Sequence, residues 1–363
     1  MTNKVLMEDL AHTWEMLSKK EREKLSNSTV LLTGCGGFLG QYYLSFFERY
    51  ADQLNLKKVI GVDSLLLGKS PLLTGLEKHP LFDIRYIDVS LLSGTDVFKQ
   101  YSIDYIIHLA SIASPTYYRK YPIETVDSNI WGLRVLLDAF SDKPLKGFLF
   151  YSSSEVYGDP HNDYVPSSEE YLGNVPCIGP RACYDESKRF GETLCYIYAN
   201  KFEMPIRIVR LFNIYGPGLK INDRRVPADF ANSIIKNEDI VILSNGQHTR
   251  TFCYVADSIA GEIKALLYSQ FDVFNIGLDA NENTVLEFAE MFQKAGENVV
   301  NYNGKIIYDV SDDIHYLTHD PVRRCPDISK AKTLLSYNPS ICLQEGLERY
   351  IRYLIDEGEN ATW

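Results

Sequence analysis

No stretch of this sequence stays apolar over the roughly 20 residues that a membrane-crossing helix needs, so no membrane partner is expected. The opening residues, MTNKVLMEDLAHTWEMLSKKEREKLSNS, are charged throughout and lack the apolar core of a secretory signal, which points to a cytosolic, cytoplasmic protein. Cysteine is sparse and unpatterned. There are seven, an odd number, scattered without C-x-x-C spacing, which argues against a disulfide framework and against a zinc site. The seven histidines form no ligand pair at helical spacing, and no metal is expected. Positive charge is in deficit: 37 Lys and Arg against 48 Asp and Glu leave a formal charge of −11. That balance speaks against a general nucleic-acid binder and leaves room only for a local basic pocket. Internal repeats and low-complexity linkers are missing too.

What is present is a chain of 363 residues with ordinary globular composition, long enough for one large or two modest domains. From Thr29 onward, short apolar runs (TVLLT, KKVIGVD, IRYIDV, DYIIHLA, GFLFYSS and IRIVRLF) alternate with longer amphipathic stretches. Nearly continuous apolar strands between helices predict a parallel sheet covered on both faces, the doubly wound α/β class. After about Leu211 the pattern loosens into turns, short strands and helices, which predicts a smaller discontinuous α/β lobe. The expected organisation is a helical extension over residues 1–28 and a nucleotide-binding domain over 29–211, with 253–277 returning to it. Residues 212–252 and 278–363 form the second lobe. Leu6, Leu10, Trp14 and Leu17 recur at near-helical spacing and predict an amphipathic helix packed on the body or across a subunit contact.

In VLLTGCGGFLG, Gly34, Gly37 and Gly40 follow the first strand and open a helix. Glycine there lets the backbone turn sharply and approach a pyrophosphate, which rests on amides at the helix N-terminus. Asp63, ending VIGVD 29 residues after Gly34, is placed to bind both ribose hydroxyls and repel a 2′-phosphate, so NAD is favoured over NADP. Asp88, ending RYID, is expected near the adenine.

Tyr184 and Lys188 stand four residues apart in RACYDESKRFGETLCY, hence on one helix face. A phenol with its ordinary pKa of about 10 is a poor base, but a nearby ammonium and a cationic nicotinamide ring both favour the phenolate. The pair suits proton removal from an alcohol whose hydride goes to NAD.

Taken in order with HLASIASP, SSSEVYG, LFNIYGP, TRTFCYV and HDPVRRCPDISKAK, these motifs resemble the extended short-chain dehydrogenase/reductase (NAD-dependent epimerase/dehydratase) family. Within it they are most similar to the UDP-glucuronate decarboxylases (UDP-xylose synthases). The resemblance spans roughly residues 29–355. It implies that Ser153 completes a Ser–Tyr–Lys set, and that Ser154 and Glu155 stand where the 4,6-dehydratases carry Asp-Glu. The missing acid suits a substrate with a 6-carboxylate and no hydroxyl to expel. It also implies that Arg324 is functional, able to hold a carboxylate bidentately. Further cofactor contacts are implied at Phe38, Leu39, Ser64, Val89, Leu109, Ala110 and Ser111. Substrate contacts are implied at Ser114, Pro115, Tyr118, Asn213, Arg225, Val226 and Arg250.

Three departures from the family pattern stand out: Leu243-Ser244-Asn245-Gly246 replaces an aromatic before G-D-G, Ile112 replaces a proline, and Gly218 replaces an arginine. The implied activity is NAD-dependent decarboxylation of a nucleotide hexuronate, UDP-glucuronate favoured, through a 4-keto intermediate. The rivals are 4-epimerisation, release of the 4-keto pentose, and a non-catalytic binding protein on the same fold. A homodimer is expected through the helices after Pro122 and around Tyr184, whose apolar positions include Ile130, Leu133, Leu136, Leu137, Leu194, Ile197 and Tyr198.

Overall fold

Each apolar run from Thr29 to Leu211 forms a strand in the computed structural model, which describes residues 3–92, 98 and 100–362. These are β1 (Thr29–Thr33), β2 (Lys58–Asp63), β3 (Phe82–Tyr86), β4 (Tyr105–His108), β5 (Gly147–Ser153) and β6 (Ile206–Leu211). A seventh, β7 (Val273–Ile276), joins them from far along the chain. The spatial order is β7-β6-β5-β4-β1-β2-β3, and every neighbouring pair is parallel. Order reverses between β1 and β4, the switch point outside whose strand ends doubly wound folds bind ligands.

Side chains alternate across the sheet, so both faces are buried. Val30 and Leu32 point into one core with Phe46, Leu149 and Ile259 of helices Phe38–Arg49 and Val255–Leu266 and of β5. Leu31 points into the other, with Leu133, Leu136, Phe150 and Leu194. That second core consumes most of the apolar positions on helices Leu133–Phe140 and Ala182–Phe202: Leu133, Leu136, Leu137, Leu194 and Tyr198 are all buried within the chain. Ile123, Trp131, Phe190 and Ile197 remain exposed on the same helical layer.

The N-terminal residues form helices Lys4–Met16 and Lys19–Leu25, the second opened by a Ser18–Glu21 capping box. Leu10 and Leu17 are buried, and Trp14 stacks on Tyr50 with centroids 4.2 Å apart. Buried Asp9 accepts from Tyr254 Oη at 2.6 Å and Arg349 Nη1 at 2.7 Å, while His12 Nε2 meets Asp257 Oδ1 at 2.7 Å.

Beyond β6, helices Val226–Lys236, Val285–Val300 and Leu343–Glu357 pack together beside three small sheets among the described residues. In one of these, Thr249–Arg250 lies between Asn283–Thr284 and Arg323–Arg324, with Arg324 directly opposite Arg250. Among the described residues, no helix is long and apolar enough to cross a membrane.

Candidate active site

One cleft of about 460 Å³ runs along the carboxyl ends of the strands, between the sheet and the C-terminal pieces. Every residue singled out from sequence for cofactor, catalysis or substrate lines it, from Gly34 and Asp63 through Ser153 and Tyr184 to Asn213, Arg250 and Arg324.

The dinucleotide end begins at the turn after β1. Gly34 has φ +70°, and a Cβ there would meet Ala110 N at 2.7 Å, so only glycine lets the loop lie against the end of β4. Gly37 caps helix Phe38–Arg49 with no side chain on its first amides, leaving those N–H groups for an anion. Asp63 Oδ2 accepts from Gly36 N and Oδ1 from Leu65 N, both at 2.8 Å. These bonds hold the carboxylate at the lip of the turn, and each oxygen keeps a lone pair for a ribose hydroxyl. Burial raises its pKa, while the two backbone bonds and Lys220 pull it down. Ser90 N and Oγ bond Asp88 Oδ1, which starts the short turn Val89–Leu91. Ser111 Oγ is buried without a partner. The glycine turn, the open amides, the lipped carboxylate and this orphan hydroxyl together fit NAD.

Helix Ala182–Phe202 carries Tyr184 and Lys188. Gly191 lets it approach β5: a Cβ there would come within 2.5 Å of the Phe150 ring. One helical turn N-terminal, Lys188 Nζ therefore reaches the Tyr151 carbonyl of β5 at 2.7 Å and lies 5.6 Å from the Tyr184 ring centroid. Asn129, in the π-helical turn Asp127–Gly132, bonds Ser187 Oγ at 2.8 Å, and Ser187 bonds the Tyr184 carbonyl. Burial pushes Tyr184 up to about 12, opposed by the Ser153 hydroxyl beside it, and pushes Lys188 down to about 7. Tyr118 stacks on Tyr184 with centroids 5.2 Å apart and planes 12° apart, and its own buried hydroxyl has no partner.

Glu155, in the turn Ser154–Tyr157 after β5, is the hub of a charge network. Arg324 spans it with both terminal nitrogens, Nη1 to Oε1 and Nη2 to Oε2, while Arg181 Nη2 donates to Oε2 at 2.5 Å. Burial alone would raise the Glu155 carboxyl, but Arg181 and Arg324 hold it well below the usual carboxylate range. The resemblance assigned Arg324 to a substrate carboxylate; here its terminal nitrogens are engaged by Glu155, because a buried carboxylate needs counter-charge. Asp320 joins the network through Arg250 Nη2 at 3.0 Å, His248 Nδ1 at 3.0 Å and Arg181 Nη1 at 3.5 Å. Asp185, at 3.6 Å from Arg181 Nε, is pushed up to about 7 by burial and by Glu155.

The remaining singled-out positions lie at the far wall. Asn213 Nδ2 bonds the Thr251 carbonyl at 2.9 Å, and Arg225 pairs with Asp223 just before helix Val226–Lys236. Ser114 caps helix Pro115–Lys120 and bonds the Asp223 carbonyl at 2.8 Å. Sequence reasoning passed over Arg181, Asp320, Arg119 and Lys220, all lining the cleft. Arg181 and Asp320 lie inside GPRACYDES and HDPVRRCPDI, and Arg119 follows Tyr118 in HLASIASPTYYRKYP, so for all three the motif neighbourhood was a usable signal.

A parallel sheet with this strand order, a glycine turn and a Tyr–Lys pair at the switch point define a dinucleotide-binding oxidoreductase-type fold. The profile of the NAD dependent epimerase/dehydratase family matches residues 30–277, and the chain belongs to that family. It is 34% identical to UDP-glucuronic acid decarboxylase 1 of Xenopus tropicalis, over 96% of this chain and 76% of that protein. It is 35% identical to UDP-glucuronic acid decarboxylase 6 of Arabidopsis thaliana, over 89% of this chain and 87% of that one. Among solved structures, UDP-glucuronic acid 4-epimerase from Bacillus cereus, in complex with UDP-glucuronic acid and NAD, superposes with a TM-score of 0.76 at 27% identity. That match covers 90% of this chain and 99% of the epimerase.

Proposed function

We propose that this chain is an NAD-dependent carboxy-lyase that converts UDP-glucuronate to UDP-xylose through a 4-keto sugar. The observation that carries the reading is the meeting, in one cleft, of the Tyr184–Lys188–Ser153 set with Ser154 and an arginine-clamped Glu155. NAD, when bound, supplies the hydride acceptor and later the donor at carbon 4 of the sugar. Tyr184 takes the proton from the 4-hydroxyl, Ser153 orients that hydroxyl, and Lys188 favours the phenolate once the cofactor's positive ring adds its charge. With a carbonyl at carbon 4, the sugar carboxylate is a β-keto acid. Its bond to carbon 5 breaks, the electron pair passes to the carbonyl, and carbon dioxide leaves. Glu155, held by Arg181 and Arg324, positions the ring and the proton donor to carbon 5. Tyr184 returns its proton when the ketone is reduced.

In this reading residues 29–211 and 253–277 bind NAD, and 212–252 with 278–363 hold the nucleotide sugar, Asn213, Arg225 and Arg250 taking the diphosphate side. The protein works as a homodimer across the exposed edge formed by Ile123, Trp131, Phe190 and Ile197. All seven cysteines are unpaired, which suits a reducing cytoplasm. The likeness to the 4-epimerase keeps 4-epimerisation as the second reading. Incubation with UDP-glucuronate and NAD, followed by mass and NMR identification of products, tests the assignment. Carbon dioxide and a UDP-pentose are expected; a UDP-hexuronate epimer without carbon loss replaces decarboxylation by epimerisation.

A further inference from the structure

A hexuronate brings a negative charge into the cleft in addition to its diphosphate, and that charge needs N–H donors not already spent within the protein. The terminal nitrogens of the network's two central arginines are committed, which leaves Arg324 and Arg181 each a single buried Nε–H without a hydrogen-bond partner. Both terminal nitrogens of Arg324 are on Glu155, and those of Arg181 face Glu155 and Asp320. Arg250 donates to the Thr249 carbonyl and to Asp320, and Arg225 is paired with Asp223.

Arg119 differs. It is the fifth residue of helix Pro115–Lys120, lines the cleft, and its side chain is only 10% exposed. Its Nη2 donates to Asp313 Oδ2 at 2.5 Å, while Nε and Nη1 are buried with no partner at all. A guanidinium has five N–H groups, so three of them here are without an acceptor. The residue before it is Tyr118, stacked on Tyr184, and the Arg119 and Arg181 guanidinium carbons each lie 5.9 Å from the Tyr118 ring centroid. Arg119 therefore stands at the redox end of the cleft, where carbon 4 must meet Tyr184 and where the neighbouring carbon 5 bears the carboxylate. Asp313 belongs to the stretch that also brings Tyr316, Leu317 and Asp320 to the cleft wall, and it anchors the guanidinium by one corner only.

We infer that Arg119, braced by Asp313, is the residue that receives the sugar carboxylate, with Arg324 and Arg181 serving to hold Glu155. This rests on the hexuronate reading above. The test uses the NAD-loaded Tyr184→Phe protein, in which turnover should be slow enough for equilibrium binding, and compares Kd for UDP-glucuronate, UDP-glucose and UDP. Arg119→Met should weaken UDP-glucuronate binding by about 10- to 100-fold and UDP-glucose and UDP by less than about threefold, the loss of a charge-assisted hydrogen bond. Arg119→Lys should recover part of the preference, and Asp313→Asn should lose part of it. Equal weakening of all three ligands would put Arg119 on the diphosphate or in a structural role and overturn the inference. So would an undiminished preference for UDP-glucuronate in Arg119→Met. If protein with Tyr184 intact releases no carbon dioxide from UDP-glucuronate, the hexuronate reading itself falls; if it does release it while Arg119→Met keeps its preference, only the assignment of Arg119 falls.

Discussion

At the scale of single residues, the cleft is governed by what burial does to charge. Burial pushes the Tyr184 phenol up to about 12, so in the proposed reaction its role as base depends on the charge of the cofactor's positive ring. Tyr184→Phe should lower turnover by about 10²- to 10⁴-fold while calorimetric NAD binding persists. Glu155 is the opposite case, a carboxylate kept ionised by two guanidinium groups. Replacing it with Gln leaves Arg181 and Arg324 buried beside a neutral group, which should cost about 3 kcal/mol in denaturant unfolding at pH 7. The sign of the pH effect follows from its depressed pKa. Its contribution is complete above the unfolded value near 4.5 and is lost as pH falls toward the lower folded value, so Glu155→Gln should unfold less steeply in acid than wild type.

At the scale of elements, helix Val255–Leu266 ties the sheet to the N-terminal extension. Its Glu262 is fully buried, donated to by Ser258, Tyr43 and Tyr151, and burial pushes it up to about 7 from 4.5. A carboxyl whose folded pKa is raised favours the fold while protonated. Its contribution is present below pH 4.5 and is lost as pH rises through 7, on the order of 3 kcal/mol in all. Glu262→Gln keeps the hydrogen-bonding shape without the charge. It should match wild type near pH 5 and exceed it in thermal stability at pH 8.5; equal stability at both would show that the proton is not taken up in the fold. The six strand runs were legible because apolar β-branched segments with helical spacers have few other solutions. Residues 253–277 are expected to return to the nucleotide-binding domain, but no strand is marked in FDVFNIG, which forms β7 (Val273–Ile276). At four residues it carries no pattern of its own, and its place is set by pairing with β6.

At the scale of the molecule, the expected dimer surface had to be revised in detail. Leu133, Leu136, Leu137, Leu194 and Tyr198 looked like surplus apolar area, yet the sheet's second core uses them. A helix on a doubly wound sheet buries one face against strands regardless of any partner. The residues left for a partner are Ile123, Trp131, Phe190 and Ile197. Light scattering at micromolar concentration should give a dimer mass, and Trp131→Arg with Phe190→Arg should give a monomer that still binds NAD.

The order of residues alone was enough for the parallel sheet, the glycine turn, the acid that ends β2 and the Tyr184–Lys188 pair. Each rests on spacing within a few residues, where backbone geometry leaves little choice. The charge network was settled only by folding. Arg250 and Arg324 are separated by more than 70 residues and become neighbours because their two-residue strands pair in register. Glu155, Arg181 and Arg119 come from three other segments, and Asp320 from the stretch that carries Arg324. Which cation meets which anion, and which keeps N–H groups to spare, depends on distances of a few ångströms in a buried cleft, where Coulomb energies are large. Nothing in the local sequence encodes those distances.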